Sequence, residues 1–387
     1  MPIKILVVDD EPDLEQLVRQ KFRRAIRDNE FNFAFARSGK DAIEQLRSLG
    51  DVDLVLTDIN MPEMDGLTLL GKIEELKAET LKAVVVSAYG DMENIRVAMN
   101  RGAFDFVTKP INLEDLEATI QKALREVTTL KEALRVRDRL VAIELELNVA
   151  AEIQASMLPQ VFPPFPDRKD FDIFARMVPA REVGGDLYDF FLVDEHRVGF
   201  LVGDVSGKGT PAALLMAISR TLLRGSGQEG LAPDACIAAV NRILAVDTLP
   251  HMFVTVFYGV LDTRTGVLDF CNAGHNPPNI LSADGVRAIE APGGLPVGVM
   301  ENFPYTRSSV TLRPGDTVFV YSDGVTEAFD KDNNEFGEEK LEEVLRSLAT
   351  ASLEETVGKV IEAVRTFSHG VAQSDDITCL AIRYSGS

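Results

Sequence analysis

The chain has 387 residues, enough for two or three domains at about 150 residues each. Acidic residues outnumber basic ones by 61 to 40, for a net charge of −21. Such a surface repels phosphate backbones and anionic lipid heads, which excludes general nucleic-acid or membrane binding. No apolar run reaches the roughly 18 residues of a spanning helix. The start, Met1 to Asp10, turns acidic too soon for a signal peptide. Cys236, Cys271 and Cys379 lie too far apart for a disulfide framework or a zinc site, and the expected location is the cytoplasm.

From residue 1 to about 125, strand and helix patterns alternate five times. Ile3–Val8 is a continuous apolar run, the mark of a parallel strand buried on both faces, and Leu14, Leu17, Val18 and Phe22 follow at helical spacing. Further strands are predicted at Phe31–Ala36, Asp53–Thr57, Lys82–Ser87 and Phe104–Thr108, each followed by an amphipathic stretch. Five βα units imply an α/β doubly wound parallel sheet with its function at the carboxyl ends of the strands. There the sequence places Asp9-Asp10, Asp58, Ser87 and Lys109. An aspartate at one strand end is ordinarily a helix cap. Three carboxylates at adjacent strand ends repel one another unless a cation is bound, and hard oxygen ligands suit Mg²⁺.

These residues resemble the response-regulator receiver domain of two-component signalling, over about residues 3–124. The matching text is Val8-Asp9-Asp10-Glu11-Pro12, Asp58-Ile59-Asn60-Met61-Pro62 through Gly66, Ser87-Ala88 and Lys109-Pro110. The resemblance implies a flavodoxin-like fold in which Asp58 accepts a phosphoryl group from a histidine kinase. It implies that Asp10, Asp58 and the Asn60 carbonyl hold Mg²⁺, with Asp9 as a supporting acid. Lys109 and Ser87 would bind the phosphoryl oxygens, Phe106 would rotate with Ser87, and the Lys109-Pro110 bond would be cis. Developing negative charge on a transferring phosphoryl group needs such a metal and such a cation.

Leu113 to Leu158 contains no Gly or Pro and reads as one or two long helices. Leu116, Ile120, Ala123, Val127, Leu130 and Leu134 keep a heptad-like spacing. Arg137 then occupies the seam, and the stripe resumes out of frame with Leu140, Ile143, Leu147 and Ala150. A core-facing helix is one reading of the stripe; a coiled-coil linker that makes a homodimer through residues 113–158 is the favoured one. Pro159, Pro163, Pro164 and Pro166 end the helix.

Beyond residue 170, strands are predicted at Phe171–Val178, Val198–Val205, Phe253–Leu261, Val267–Asn272, Val318–Ser322 and Ile377–Tyr384. Helices are predicted near Pro211–Arg224, Pro233–Asp247, Glu338–Leu348 and Glu354–Phe367. Successive strands without helices between them indicate antiparallel sheet in a layered α+β domain. Four acidic clusters fall at strand ends or turns: Gly184-Gly185-Asp186, Gly203-Asp204-Val205, Ser322-Asp323-Gly324 and Asp375-Asp376. Aspartates with little His and no paired Cys point to Mg²⁺ or Mn²⁺. Two such ions about 4 Å apart activate water and clamp a phosphoryl group, the chemistry of phosphoester hydrolysis. Gly203 to Thr210 is not a P-loop, because the spacing is one short and Gly209 separates Lys208 from Thr210. His275, in Ala273-Gly274-His275-Asn276-Pro277, is read as a hairpin corner in preference to a catalytic group.

This set, with Ala151-Glu152-Ile153-Gln154, Leu158-Pro159 and Pro179 to Asp186, resembles the metal-dependent protein phosphatase (PPM) superfamily in its SpoIIE/RsbU branch, from about Asn148 to Ser387. The resemblance implies an α-β-β-α sandwich, a binuclear Mn²⁺ or Mg²⁺ centre and a phosphoserine or phosphothreonine protein substrate. Asp186, Asp204, the Val205 carbonyl, Asp323 and Asp375 fall on its ligand positions, with Asp376 as a further candidate and Arg181 as a candidate for the substrate phosphate. The type 2C branch carries a histidine where Ser206 stands here.

The expected organisation is a receiver at 1–124, a helical linker at 125–158 and a phosphatase domain at 159–387. The expected function is dephosphorylation of a protein under control of Asp58 phosphorylation, the substrate implied by the family being an anti-sigma-factor antagonist. An adaptor that binds a partner without hydrolysis is the alternative. Four retained, mutually repelling aspartates argue against the adaptor, and the negative charge argues against a DNA-binding output.

Overall fold

The apolar runs near the N-terminus form strands buried on both faces, because helices pack on either side of the sheet. In the computed structural model, which describes residues 2–88, 90–247, 251–290 and 292–386, the elements run β1 (Ile3–Val8), α1 (Pro12–Lys21), α2 (Arg23–Arg27), β2 (Phe31–Ala36), α3 (Gly39–Leu49), β3 (Leu54–Asp58), α4 (Gly66–Glu75), β4 (Lys82–Ala88), α5 (Met92–Asn100) and β5 (Asp105–Lys109). A single helix, α6 (Leu113–Met157), follows. The contacts divide the chain into two units, Met1–Ile143 and Glu144–Ser387.

In the first unit the strands pair in parallel in the order β2-β1-β3-β4-β5. Alternate residues serve opposite faces. Ile5, Val7, Leu54, Leu56 and Val84 pack with α1 and the start of α6, whereas Leu6, Val8, Val55 and Val85 pack with α3, α4 and α5. Local signals set the helix starts: Ser38 caps α3 through the Asp41 N–H, and Asp65 caps α4 through the Thr68 N–H at 2.7 Å. The Lys109-Pro110 bond is cis. The strand order reverses between β1 and β3, so their carboxyl ends open a crevice at that point.

The linker stripe divides in two. Leu116, Ile120 and Ala123 are buried in the first unit's own core, beside Ile5 and Val84, and Val127, one turn further on, is buried as well. They therefore do not pair with a second chain, which corrects the expected pairing surface of 113–158 for its first half. A helix covering a sheet and a helix in a coil bury the same periodic stripe, so spacing does not tell them apart. Further along, Val136, Leu140, Ile143, Leu145, Val149 and Ile153 are exposed. The interruption at Arg137 is one of the stripe alone: α6 continues through it, with Arg137 pairing to Asp138 at 3.0 Å.

The second unit contains β6 (Phe171–Val178), β7 (Leu187–Leu192), β8 (Arg197–Val205), α7 (Thr210–Gln228), α8 (Pro233–Asp247), β9 (Val254–Asp262), β10 (Val267–Ala273), β11 (Asn279–Ser282), β12 (Gly285–Ala288), β13 (Ser308–Thr311), β14 (Thr317–Tyr321), α9 (Asp323–Thr326), α10 (Gly337–Arg346), α11 (Leu353–Phe367) and β15 (Ile377–Tyr384). Two antiparallel sheets result, β13-β10-β9-β8-β7 and β12-β11-β14-β15-β6. Ile173, Phe200, Phe257, Val318 and Leu380 fill the space between them. Ala212, Leu215, Ile237 and Val240 seat α7 and α8 on the first sheet, and Leu341, Val357 and Ile361 seat α10 and α11 on the second. The layers are α-β-β-α. Each fully buried leucine or isoleucine contributes about 1.5–3 kcal/mol. Strands β7, β11, β12 and β13 were not among the sequence expectations. The first is masked by its acidic and aromatic text, and the last three are only four residues long. The three cysteines are buried and free: Cys236 on α8 and Cys271 on β10 share one core cluster, and Cys379 on β15 packs in the cluster with α11.

Candidate functional site

Two carboxylate clusters form, one in each unit. In the first, Asp9 and Asp10 follow β1 and Asp58 closes β3, and a carboxylate oxygen of each lies within 4.8 Å of the others. Lys109, the last residue of β5, reaches across to Asp58 Oδ2 at 2.6 Å and Asp9 Oδ2 at 3.4 Å. Burial pushes the Asp9 carboxyl up, and Asp58 adds to it. Burial works against the Lys109 charge, but the bond to Asp58 and the field of Asp9 prevail and raise its pKa. Asp9 Oδ1 accepts from the Glu11 N–H at 2.8 Å, which leaves Oδ2 for the crevice. Asn60 is exposed just past Asp58, its N–H donating to Asp58 Oδ1 at 3.3 Å. Ser87 is buried on β4 and donates to Asp91 Oδ2 at 3.4 Å; Phe106 is half-buried against the core. Three converging acids facing one lysine fit a divalent cation such as Mg²⁺.

The second cluster is built from the strand ends of both sheets. Asp186 precedes β7 and Asp204 lies near the end of β8, where Leu187 pairs with Gly203 and so sets the two acids side by side. Asp323 opens α9 just after β14, and Asp375 leads into β15, the antiparallel neighbour of β14. Burial pushes Asp186 well up, with the charges of Asp204 and Asp376 adding to it. Asp204 rises to about 7, through burial and then the charges of Asp323 and Asp375. Asp323 rises to about 6, through burial and then Glu327 and Asp375. Asp186 Oδ2 is buried without a hydrogen bond of its own. Acids held this way are stable as anions only beside cations, so the chemistry of the donor set suits divalent metal, although among the described residues three acids converge within 4.8 Å only in the first unit. The residues that would hold it are Asp186, Asp204, Asp323 and Asp375, with the Val205 carbonyl lying against Gly185.

Asp376 is occupied differently. Its Oδ1 accepts from the Ala180 N–H at 2.8 Å, and its Oδ2 from the Gly185 N–H at 2.6 Å. It thus holds the loop that carries Asp186. The packing is close enough that a Cβ on Gly184 would lie 2.5 Å from Asp376 Oδ2, and one on Gly324 would lie 2.0 Å from the Asp376 carbonyl. Both Gly-Asp pairings are therefore steric requirements and not ordinary turns.

Arg181 is exposed and has no ion pair or hydrogen bond among the described residues. Ser206 is spent on Phe253: its N–H donates to the Phe253 carbonyl, and its Oγ accepts the Phe253 N–H at 2.9 Å. His275 is buried, its pKa lowered to about 4 by burial, with Nδ1 2.9 Å from the Thr255 hydroxyl. Asn272 brackets its backbone at 2.8 and 2.9 Å, as the hairpin-corner reading expects.

Two participants escaped the sequence reading. Gln154, buried on the last turns of α6, donates to the Gly184 carbonyl at 2.7 Å and accepts the Gly184 N–H at 2.9 Å. It grips the residue two before Asp186. The available signal was one glutamine within a matching Ala-Glu-Ile-Gln stretch, which by itself reads as solvated. Lys208, set aside with the failed P-loop, pairs with Asp375 Oδ2 at 2.8 Å.

Comparison with known proteins gives two family matches: the response regulator receiver domain over residues 5–121, and stage II sporulation protein E (SpoIIE) over residues 194–385. The protein IcfG of Synechocystis is 33% identical over 265 residues, covering 62% of this chain and 41% of that protein. Phosphoserine phosphatase RsbU of Bacillus subtilis is 28% identical over 244 residues, covering 62% of this chain and 70% of that protein. The SiaA-PP2C domain of Pseudomonas aeruginosa shares the fold at a TM-score of 0.57 and 22% identity, over 64% of this chain and 98% of that domain. The chain thus spans less than half the length of IcfG. Among the described residues no helix is long and apolar enough to cross a membrane. With a strand-end crevice in its first unit and a two-sheet carboxylate cluster in its second, the chain joins a response-regulator receiver domain, over residues 5–121, to a SpoIIE-family domain, over residues 194–385.

Proposed function

We propose that this chain is a receiver-controlled protein phosphatase, acting on phosphoserine or phosphothreonine of a partner protein. The observation that carries the reading is the meeting of Asp186, Asp204, Asp323 and Asp375 from two sheets, with three of them held above the usual carboxylate range. Two Mn²⁺ or Mg²⁺ ions there would supply Lewis-acid charge and an activated water. The chain's part is to gather the four carboxylates, to fix the Asp186 loop through Asp376 and Gln154, and to keep Ser206 on Phe253, away from proton transfer. The substrate class comes from RsbU, described as a phosphoserine phosphatase. An anti-sigma-factor antagonist is the substrate we assign on the family resemblance.

In the receiver, Asp58 would take a phosphoryl group from a histidine kinase, with Mg²⁺ on Asp9, Asp10, Asp58 and the Asn60 carbonyl. Lys109 would neutralise the new charge, with Ser87 and Phe106 as the switch. The exposed part of α6, from Val136 to Ile153, would form the homodimer contact. Gln154 lies at the end of that stretch, so a shift of α6 would pull directly on Gly184 and move Asp186.

The test is phosphate release from a phosphoseryl protein with Mn²⁺, with and without beryllofluoride standing in for the phosphoryl group on Asp58. Metal-dependent turnover altered by beryllofluoride is expected. Turnover indifferent to beryllofluoride would remove the control, and no turnover with Mn²⁺ bound would leave a binding protein.

A further inference from the structure

Building on that reading, we propose that Lys208 binds the substrate's phosphoryl group, a role the family resemblance had offered to Arg181. Lys208 lies on the segment between Asp204 and α7, flanked by Gly207 and Gly209 at φ of 91° and 76°. Nothing lies within 4 Å of a Cβ built on either glycine, so the loop stands in open space at the mouth of the cluster. Its ammonium meets Asp375 Oδ2 at 2.8 Å, donates to the Ser374 carbonyl, and extends its field to Asp323. The Lys208 and Asp375 side chains are 42% and 36% exposed, so this pair faces the solvent from which a substrate arrives.

Charge balance identifies the partner. Asp186, Asp204, Asp323 and Asp375 would carry four negative charges, which two divalent cations would balance, with the Asp376 carboxylate adding a fifth behind them. A phosphoseryl dianion entering that centre needs further positive charge nearby. Among the described residues, Lys208 is the basic side chain paired with any of these four acids, whereas Arg181 pairs with none. Once cations share the Asp375 carboxylate, its hold on the ammonium weakens. An ammonium has three donors, so the group can turn to phosphoryl oxygens while keeping Ser374. The N-terminus of α7, starting at Thr210, adds its dipole to the same loop.

The experiment uses the full chain loaded with Mn²⁺ and measures binding of inorganic phosphate by calorimetry, with Mn²⁺ affinity measured separately. Lys208→Ala is expected to weaken phosphate binding about tenfold or more. Lys208→Arg should restore much of it, and Arg181→Ala should leave it intact. Mn²⁺ should bind Lys208→Ala as well as the parent or more tightly, since a competitor for Asp375 has gone. On a phosphoseryl protein the variant should raise KM more than it lowers kcat. Unchanged phosphate affinity in Lys208→Ala overturns the proposal. So does a fall in Mn²⁺ affinity in step with phosphate affinity, which would make Lys208 a brace for the loop. Phosphate binding that depends on Lys208 in a protein that hydrolyses no phosphoprotein would support this role and refute the enzymatic reading.

Discussion

The receiver crevice and the phosphatase cluster are both collections of aspartates at strand ends, yet they handle their charge in opposite ways. In the receiver, one parallel sheet gathers three acids, and the same sheet delivers Lys109 to within 2.6 Å of Asp58. In the second unit, acids from two antiparallel sheets are gathered around the buried Asp186, and Asp204 and Asp323 climb to about 7 and 6. The nearest ammonium there, Lys208, sits on a solvent-facing loop. On the proposed reading, a fixed internal cation stands ready to meet the charge of a phosphoryl group on Asp58. The second cluster is instead left short of positive charge, the condition that would favour divalent metal.

The largest effect that would sharpen this contrast is expected from Asp204→Asn. Loss of a ligand-position carboxylate should cut phosphate release about 10³-fold, the worth of several kcal/mol of metal stabilisation. Beryllofluoride binding at the receiver, read by ¹⁹F NMR, should be untouched. A variant that kept its turnover would break the reading of the second cluster. Next comes Lys109→Ala, which should slow phosphorylation of Asp58 by a small-molecule phosphodonor about 10²-fold, measured by mass spectrometry of the intact protein. Mn²⁺-dependent turnover without donor should stay at the parent level, and a fall in it would show that the two clusters are not separable.

Gln154→Leu should act more mildly, lowering Mn²⁺ affinity about tenfold by freeing Gly184, as loss of a ligand's supporting hydrogen bonds does elsewhere. Calorimetry would detect it, and a conservative Gln154→Glu should not rescue, because the carboxylate cannot donate to the Gly184 carbonyl. The smallest effect is on stability. Acids whose folded pKa is raised hold protons that the unfolded chain has lost, so between about pH 4 and 7 the metal-free second unit loses stability as pH rises. Melting in a chelator should therefore fall across that window, and the increment from added Mn²⁺ should grow with pH. A flat profile would mean that the buried acids are already compensated inside the protein.

Much of this was legible along the chain. Ile3–Val8 and its partners could hardly be anything but parallel strands, and parallel βα order alone puts Asp9, Asp10, Asp58 and Lys109 at one edge. The Gly-Asp pairs in the second unit likewise placed its acids at strand ends or turns; that Gly324 is required there, because a Cβ would lie 2.0 Å from the Asp376 carbonyl, emerged only with the packing. The placements are properties of local pattern and topology, which the order of residues determines directly.

The assignments that needed the tertiary structure all rest on contacts between distant segments. Asp376 and Gly185 meet across 191 residues, and Lys208 and Ser374 across 166. Gln154 is an unremarkable helix residue until Gly184 lies beside it. The stripe from Leu116 to Ala123 has the same period whether it faces its own sheet or a second chain, and only packing assigned it to the receiver core. The sequence determined which residue types reach which strand ends. Which oxygen faces a backbone N–H, and which is left for a cation, was decided by how two sheets close on each other.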